Sequence, residues 1–469
     1  MNARWKAVTS IAALGAALAG LAGCGGSGGG GGTVRVDVGY QSKTINTVTA
    51  GTLLRDLGHL ERRLAELGRR NGKTYKVRWY DFATGAPLTA QMIAGKIAIG
   101  SMGDYPLLIN GSRSAGFDDA RSRFVGVTGY NLRGSLNQVV VPRDSTARTL
   151  ADLRGKAVST SVGSAAHGML VRGLRGQGLQ PADIEILGQD PSVGVTNVES
   201  GKAAALAQFV PYPQQMIFNG KARLLYDGGA IAFPTFHGIV AREKWTRDHP
   251  EVLEAFLAAT KDTTAHLHRD PLDSARRVAR ATGLQPEVVY LYNGAGGLVT
   301  FDMTIKPQLV DALRKDVPFL KEIGSIKELD VDAFTDDGPL RRAYGPGYDR
   351  DAASLTNPAA IKGRDEICDL DVTDPRTASE AWIGEEITPA ANPTCLLRLV
   401  KKRGGEPRAV YAPSADTGTK LFADAASWVR DPRAEWPLLP FATPEAAAAY
   451  VGGHPGAQTL DYRAALAAA

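Results

Sequence analysis

An alternation of strand-like and helix-like segments begins at Thr33, and it constrains the fold of this chain more than any other feature. Residues 34–39 alternate apolar and polar side chains as a strand does, whereas residues 53–67 repeat apolar side chains at helical spacing. The next predicted elements are strands at 76–79 and 97–99, with a helix at 87–94 between them. Such alternation predicts an α/β fold, in which ligands bind beyond the carboxyl ends of parallel strands.

The same alternation restarts after Gly134 and predicts a second lobe. Its predicted elements are strands at 137–141, 157–160 and 184–187, helices at 150–153 and 165–174, and a helix-to-strand step at 203–210. Residues 236–241 would then return the chain to the first lobe. We therefore expect one lobe from about residues 33–135 and 240–350, a second from about 136–239, and a cleft between them.

The amino-terminal segment carries features of export. Arg4 and Lys6 precede an apolar run that is too short, and too rich in Ala and Gly, to be a good membrane span. Residues 21–24, Leu-Ala-Gly-Cys, resemble the lipobox of bacterial lipoproteins, which implies removal of residues 1–23 and acylation of Cys24. Gly-rich residues 24–32 would then form a flexible tether. The alternatives are an uncleaved anchor and a soluble secreted form.

The charge of the chain argues against nucleic acid as a partner. The 54 Lys and Arg residues are mixed with 49 Asp and Glu residues, which gives a formal net charge of only +5. Neither a basic stripe for nucleic acid nor a polybasic membrane patch is indicated. Any membrane attachment is therefore expected through the lipid on Cys24.

Candidate ligand contacts in the second lobe lie in one loop. Ser161, Gly163 and Ser164 follow a predicted strand and precede a predicted helix, so hydroxyls and backbone N–H groups would meet at the positive end of the helix dipole. This arrangement predicts a site for an anion or a polar oxygen. The alternative role of Ser164 is to cap the helix. Phe209 is a candidate aromatic wall, although an aromatic residue near a strand end also fits a core position.

The first lobe supplies further candidates, which follow its predicted strands. They are Tyr40, Gln41 and Ser42 after the first strand, Ser101, Gly103 and Asp104 after the third, and Tyr130 and Arg133 at the predicted crossing. Asp104 fits a helix cap as well as a ligand contact, and Arg133 fits an exposed surface position as well as an anion contact. No nucleophile, base and orienting residue stand at suggestive spacing, so we expect no enzymatic activity.

The order of motifs over about residues 34–348 resembles the substrate-binding proteins of ABC importers of the nitrate, sulfonate and taurine type. The matching segments are Gly-Tyr-Gln at 39–41, Gly-Lys-Ile-Ala-Ile-Gly at 95–100 before Gly-Asp-Tyr-Pro at 103–106, and Leu-Ala-Asp-Leu-Arg-Gly-Lys at 150–156 before Ser-Val-Gly-Ser-Ala-Ala-His at 161–167. The resemblance implies the two-lobed periplasmic-binding-protein fold of type II, a small polar or anionic solute, and an ABC permease and ATPase as partners.

A second unit is expected after a linker at about residues 351–364. Residues 365–469 resemble the NosL-type accessory lipoproteins, which are extracytoplasmic copper-binding proteins of α+β fold, on the motifs Lys-Leu-Phe-Ala-Asp at 420–424 and Leu-Pro-Phe-Ala at 439–442. The family pairs a Cys with a following Met in Cys-Gly-Met, whereas this chain has Cys368-Asp-Leu. We expect residues 33–350 to fold and bind ligand without this unit.

Two hypotheses account for Cys368 and Cys395. Thiolates select Cu(I), so both cysteines are candidate copper ligands. A disulfide between them, which suits an oxidising compartment, explains the same pair. The leading functional hypothesis is a lipid-anchored extracytoplasmic solute-binding component of an ABC importer that needs no cofactor. The alternative is an extracytoplasmic copper-handling protein that acts through its C-terminal unit.

Overall fold

A computed structural model describes residues 32–469 of the chain. Cys24 and most of the predicted tether lie outside these residues, so lipidation stays a prediction. Within the described part, none of the helices combines the length and the apolar character needed to cross a membrane.

Strands and helices alternate through most of the chain. The strands, in chain order, are β1 (Thr33–Tyr40), β2 (Thr74–Asp81), β3 (Ile99–Gly103), β4 (Ser122–Asn131), β5 (Asn137–Pro142), β6 (Ala157–Thr160), β7 (Glu185–Gly188), β8 (Ala205–Phe209), β9 (Ala222–Asp227), β10 (Thr235–Arg242), β11 (Arg364–Asp365), β12 (Leu370–Asp371), β13 (Ser379–Ile383), β14 (Glu386–Ala390), β15 (Ala409–Pro413), β16 (Lys420–Phe422), β17 (Ser427–Arg430), β18 (Leu438–Phe441) and β19 (Gln458–Leu460).

The helices, in chain order, are α1 (Thr52–Leu57), α2 (His59–Asn71), α3 (Gly85–Ile93), α4 (Asp104–Ser114), α5 (Ala165–Gly176), α6 (Pro191–Glu199), α7 (Tyr212–Phe218), α8 (Glu243–Asp248), α9 (Pro250–Arg269), α10 (Pro271–Thr282), α11 (Pro286–Asn293), α12 (Pro307–Glu322), α13 (Val331–Phe334), α14 (Gly338–Tyr344), α15 (Tyr348–Ala353), α16 (Pro393–Arg403), α17 (Pro444–Gly453) and α18 (Tyr462–Ala468).

Two five-stranded sheets form the two lobes. Lobe 1 has the order β2-β1-β3-β10-β4, and lobe 2 has the order β7-β6-β8-β5-β9. In each sheet three neighbouring strands, β2-β1-β3 and β7-β6-β8, pair in parallel, as the β-α-β alternation predicts. The strand that enters from the other lobe, β10 in lobe 1 and β5 in lobe 2, is antiparallel to both of its neighbours. Each sheet therefore includes one strand, β10 or β5, that directly follows a crossing of the chain from the other lobe.

Two details of the first lobe differ from the sequence expectation. The helix predicted over residues 53–67 is two helices, α1 and α2, because Gly58 between them takes a left-handed conformation with φ of 64°. The predicted boundary of lobe 2 at about residue 239 lies too late. Strand β10 starts at Thr235 and pairs with β3 and β4 of lobe 1, so the second crossing occupies residues 228–234.

The C-terminal module, residues 364–469, is an α+β unit. It contains a sheet of order β14-β13-β15-β16, a smaller sheet of order β18-β17-β19 and a two-stranded ribbon, with α16 against the larger sheet. Its NosL-like identity stays a prediction. The apolar core is shared, since Trp382, Tyr411 and Phe422 of the module pack in one cluster with Tyr290 of α11 and with side chains of lobe 2. The module is thus packed against the lobes.

Candidate functional site

A cleft of about 590 Å³ lies between the two lobes. Lobe 1 contributes the end of β3, the first turn of α3 and part of α4, and lobe 2 contributes the loops after β6 and β7. These loops follow the carboxyl ends of parallel strands, which is where an open α/β sheet binds its ligands. Six residues predicted from the sequence line this cleft: Gln41, Gly103, Ser161, Gly163, Ser164 and Phe209.

Six other predicted residues lie outside the cleft lining, and each has a place in the fold. Tyr40 is buried against Trp79, Ser42 binds the Asp81 carboxylate, and Ser101 is buried with its carbonyl accepting from Gln41. Asp104 is buried and accepts hydrogen bonds from Thr235 and from the backbone N–H of Phe236. Tyr130 is buried beside Thr300, and Arg133 is exposed.

The loop before α5 contains the helix cap that its sequence indicates, and it also lines the cleft. Ser164 Oγ caps the helix by accepting from the backbone N–H of His167 at 3.3 Å, and the residue also faces the cleft. Ser161 Oγ donates to the carbonyl of Gln189 and accepts from Gln208 Nε2, both at 2.9 Å. Ser161 therefore fixes the loop, while the N–H groups of Ala165 and Ala166, the first two of α5, have no partner in the described chain.

The first turn of α3 gives lobe 1 a matching feature that the sequence reasoning missed. Thr84 is the N-cap residue, yet its side chain makes no capping hydrogen bond, and Thr84, Gly85 and Ala86 all line the cleft. The helix was predicted to begin only at residue 87, so its start was not recognised. A Thr just before a helical segment is the signal that could have found it. Two helix N-termini, those of α3 and α5, thus approach one cleft from opposite lobes.

His237 on β10 is a second residue that the sequence reasoning missed. It is 5% exposed, and burial lowers the pKa of its imidazole to about 3, so the ring is neutral at physiological pH. Asn46 Nδ2 lies 2.9 Å from His237 Nδ1. With the Asn46 amide donating to Nδ1, the ring proton lies on Nε2, and this residue lines the cleft. The cleft therefore gains a neutral hydrogen-bond donor.

Two formal charges stand at the cleft among its described lining residues. Arg113 of α4 and Asp190 before α6 are both exposed, and neither forms an ion pair within residues 32–469. Arg113 and the N-terminus of α3 make the lobe 1 side of the cleft suited to a negative group, and the N-terminus of α5 faces it from lobe 2. Asp190 lies on lobe 2 and would favour a ligand whose distal end is uncharged or positive.

The lobes also contact each other beside the cleft. Arg172 Nη2 of α5 lies 2.7 Å from Asp316 Oδ1 of α12, and a Cβ placed on Gly163 would lie 3.4 Å from Ile109 of lobe 1. Burial, followed by the nearby Asp104 carboxyl, raises the pKa of Asp316 to about 7. These contacts show the lobes drawn together around the cleft.

The candidate metal ligands lie far from the cleft in sequence and are joined to each other. Cys368 and Cys395 form a disulfide, with the Asp365 carboxylate nearby. That carboxylate already accepts hydrogen bonds from three backbone N–H groups, those of Ile367, Cys368 and Ala391. Bonded sulfurs offer no thiolate to a metal, so copper binding stays a prediction that requires reduction. A thiol titration of the unreduced protein counts the cysteines available.

Comparison with known proteins agrees with this architecture. Residues 124–274 match the family model described as NMT1/THI5 like. The chain is 27% identical over 255 residues to a putative aliphatic sulfonates-binding protein of Escherichia coli, which covers 54% of this chain and 74% of that protein. It is 23% identical over 308 residues to the taurine-binding periplasmic protein of Escherichia coli, which covers 62% of this chain and 90% of that protein.

Solved structures show the same fold. The alkanesulfonate-binding protein SsuA from Xanthomonas axonopodis pv. citri, bound to MOPS, superposes with a TM-score of 0.54 at 23% identity, over 64% of this chain and 98% of that one. The aliphatic sulphonate binding protein SsuA from Escherichia coli gives a TM-score of 0.52 at 23% identity, over 64% and 92%. The chain therefore contains an NMT1/THI5-like region and has the fold of periplasmic solute-binding proteins.

Proposed function

We propose that this protein is the solute-binding component of an ABC importer and that it captures a small anion of the sulfonate class between its lobes. The bound solute would then pass to a membrane permease driven by an ATPase. The names of the relatives, which are aliphatic sulfonate-binding and taurine-binding proteins, support this class of solute.

One observation carries the proposal: the N-termini of α3 and α5 reach the same cleft from opposite lobes. The unpaired N–H groups of a helix N-terminus, together with the helix dipole, favour an anion. A sulfonate has three oxygens and can accept hydrogen bonds from both helices at once. Binding would therefore draw the lobes together, and His237 Nε2 and Thr84 would add neutral donors without adding charge.

Matched pairs of sulfonate and carboxylate test the solute class. We expect taurine and hexane-1-sulfonate to raise the midpoint temperature of thermal unfolding. A ligand at one hundred times its dissociation constant adds about 2.7 kcal/mol to the free energy of unfolding. β-Alanine and heptanoate, which lack the third oxygen, should stabilise less, and nitrate serves as a small planar anion. If none of these anions raises the midpoint or binds in calorimetry, the proposed solute class is wrong.

Two exposed arginines provide a matched pair of variants for the same experiment. Arg113 lines the cleft, whereas Arg133 lies outside its lining, and neither has an ion-pair partner in the described chain. Arg113→Gln should weaken the binding of each sulfonate a few fold, which is the effect of one exposed charge. Arg133→Gln should leave the affinity unchanged. Equal effects of the two substitutions would show that the anion does not bind near Arg113 of α4.

The proposal includes attachment of the protein to the outer face of the cell membrane through Cys24. It rests on the lipobox sequence alone. Cys24→Ala should leave unprocessed precursor or release the protein from the membrane fraction. A variant that fractionates and migrates as the wild type does would show that the anchor is not at Cys24.

A further inference from the structure

The chain crosses between the lobes twice, and the two crossings lie side by side. They are residues 132–136, between β4 and β5, and residues 228–234, between β9 and β10. We call these two segments the hinge. A Cβ placed on Gly134 would lie 2.8 Å from the carbonyl oxygen of Phe233 and 3.1 Å from that of Gly228, so the two backbones are in contact. Any change in the angle between the lobes must change the backbone dihedrals of these segments.

A loop of the C-terminal module is bonded to the hinge. Thr419 Oγ1 donates to Asp227 Oδ2 at 2.6 Å and lies 2.8 Å from Ser135 Oγ. Thr417 Oγ1 donates to the same carboxylate oxygen at 2.9 Å. Ser135 lies in the first crossing, and Asp227 ends the strand that enters the second. All four side chains are buried, with Thr419 only 2% exposed. One threonine therefore contacts the first crossing directly and reaches the second through Asp227, which also accepts from the backbone N–H of Gly229 in that crossing.

The residue after Thr419 fixes the module to lobe 1. Lys420 Nζ lies 2.8 Å from Glu380 Oε2, and both side chains are 5% exposed. Glu380 Oε1 accepts from the hydroxyl of Tyr290 on α11 at 3.0 Å, and Lys420 also donates to the carbonyl of Ala295 at 2.6 Å. The ion pair itself lies within the module, so this side of the module is held to lobe 1 by the two hydrogen bonds to Tyr290 and Ala295.

Further contacts on each side support the same arrangement. On the lobe 1 side, Arg408 lies 2.6 Å from Glu287 of α11, whose carbonyl accepts from the Tyr411 hydroxyl. On the lobe 2 side, the ring of Phe422 packs on Phe218 of α7 at 5.1 Å between centroids. The module therefore bridges the two lobes, and its residues are absent from the described lining of the cleft.

We infer that the C-terminal module is a hinge clamp, and that Thr419 and Asp227 are positioning residues for the ligand cleft. The inference rests on the proposed function for its ligand readout. The structure shows the clamp contacts together with the contacts between the lobes beside the cleft. We therefore expect the clamp to stabilise the closed arrangement, in which the lobes touch. Loosening the clamp lowers the fraction of molecules in that arrangement, and the apparent affinity falls by the same factor. The ligand need not contact the module at all.

Thr419→Val tests this inference because valine keeps the shape of threonine and removes its hydroxyl. The matched control is Thr459→Val, the same change at an exposed position on β19 of the same module. Spin labels at Phe117→Cys of lobe 1 and Val193→Cys of lobe 2, both exposed, report the distance between the lobes without ligand. We expect a longer and broader distance distribution in Thr419→Val, recovery in Thr419→Ser, and no change in Thr459→Val.

Calorimetry with hexane-1-sulfonate supplies the second readout. Thr419→Val should raise the dissociation constant roughly three- to thirtyfold, as expected for loss of one buried hydrogen bond coupled to closure, and Thr419→Ser should restore it. If Thr419→Val fails to fold, Ser135→Ala replaces it. An unchanged distance distribution, with or without a lower unfolding midpoint, overturns the clamp. If the distance distribution changes but the protein binds no sulfonate, the clamp is supported and the proposed solute class is wrong.

Discussion

The cleft and the interface between the module and the lobes both contain buried polar side chains, but they use them in opposite ways. In the cleft, Nε2 of the buried His237 and the hydroxyl of the half-buried Thr84 make no hydrogen bond within the described chain. In the interface, Glu380 accepts from Lys420 and from Tyr290, and Asp227 accepts from two threonines and a backbone N–H. Hydrogen-bond donors without partners can bind a ligand. Donors that already have buried partners stabilise a fixed contact between two parts of the protein.

The sharpest way to break this contrast is to remove one member of the buried ion pair. Lys420→Met should destabilise the protein by about 3 to 5 kcal/mol, because it leaves the Glu380 carboxylate buried without its cation. Lys321→Met is the matched control, since Lys321 pairs with Glu328 at the exposed surface and should cost no more than about 1 kcal/mol. Urea unfolding of both variants measures the difference. Equal costs would show that the buried pair contributes no more to stability than the exposed one.

A smaller effect is expected from polar side chains in the cleft. Gln41→Ala and Ser161→Ala should each weaken binding of a cleft ligand by about 1 to 3 kcal/mol. Each side chain fixes backbone at the cleft, Gln41 through the carbonyl of Ser101 and Ser161 through the carbonyl of Gln189, so each substitution loosens the arrangement that the ligand needs. Ser42→Ala is the control, since that hydroxyl binds Asp81 outside the cleft lining. Calorimetry measures all three, and unchanged affinity in both cleft variants would place the site elsewhere.

The last expected effect is a pH dependence at the contact beside the cleft. Because the pKa of Asp316 is raised to about 7 in the folded protein, the folded state holds a proton there that the unfolded state releases between about pH 4 and 7. The contribution of this group to stability is therefore present at low pH and is lost as pH rises toward 7.

Asp316→Asn removes that titration, so wild type should gain stability relative to this variant as pH falls from 8 to 5. Asp311→Asn, on the exposed face of the same helix, is the matched control variant. Urea unfolding at several pH values measures both series. Parallel curves for wild type and Asp316→Asn would show that the carboxyl titrates normally.

Much of the lobe architecture could be predicted from the sequence because it depends on local patterns. The strand at residues 157–160 and the helix beginning at 165 are found where the alternation of apolar residues places them. The loop of Ser161 to Ser164 was identified for the same reason, since a strand-to-helix loop is a local feature. This part of the site can be recognised from a few consecutive residues.

The rest of the site depends on contacts that no local pattern records. His237 lies in a segment that reads as a buried strand, and its partner Asn46 is 191 residues away in sequence. Likewise, nothing near Thr419 indicates that it would meet Asp227, which is 192 residues earlier. The structure shows what the expectation that residues 33–350 bind ligand alone would require. A protein without the module must tolerate an exposed Tyr290 and a hinge that has lost its contacts to the module.

Thr419 and Lys420 are adjacent in the chain, yet one is bonded to the hinge and the other to lobe 1. Consecutive Cα atoms are only about 3.8 Å apart, so a change of lobe angle would be felt within a single peptide unit. The exposed Asp416 lies a few residues before this point. An environment-sensitive dye attached there would act as an optical reporter of cleft occupancy, outside the lining that the solute occupies, and would turn this protein into a biosensor scaffold.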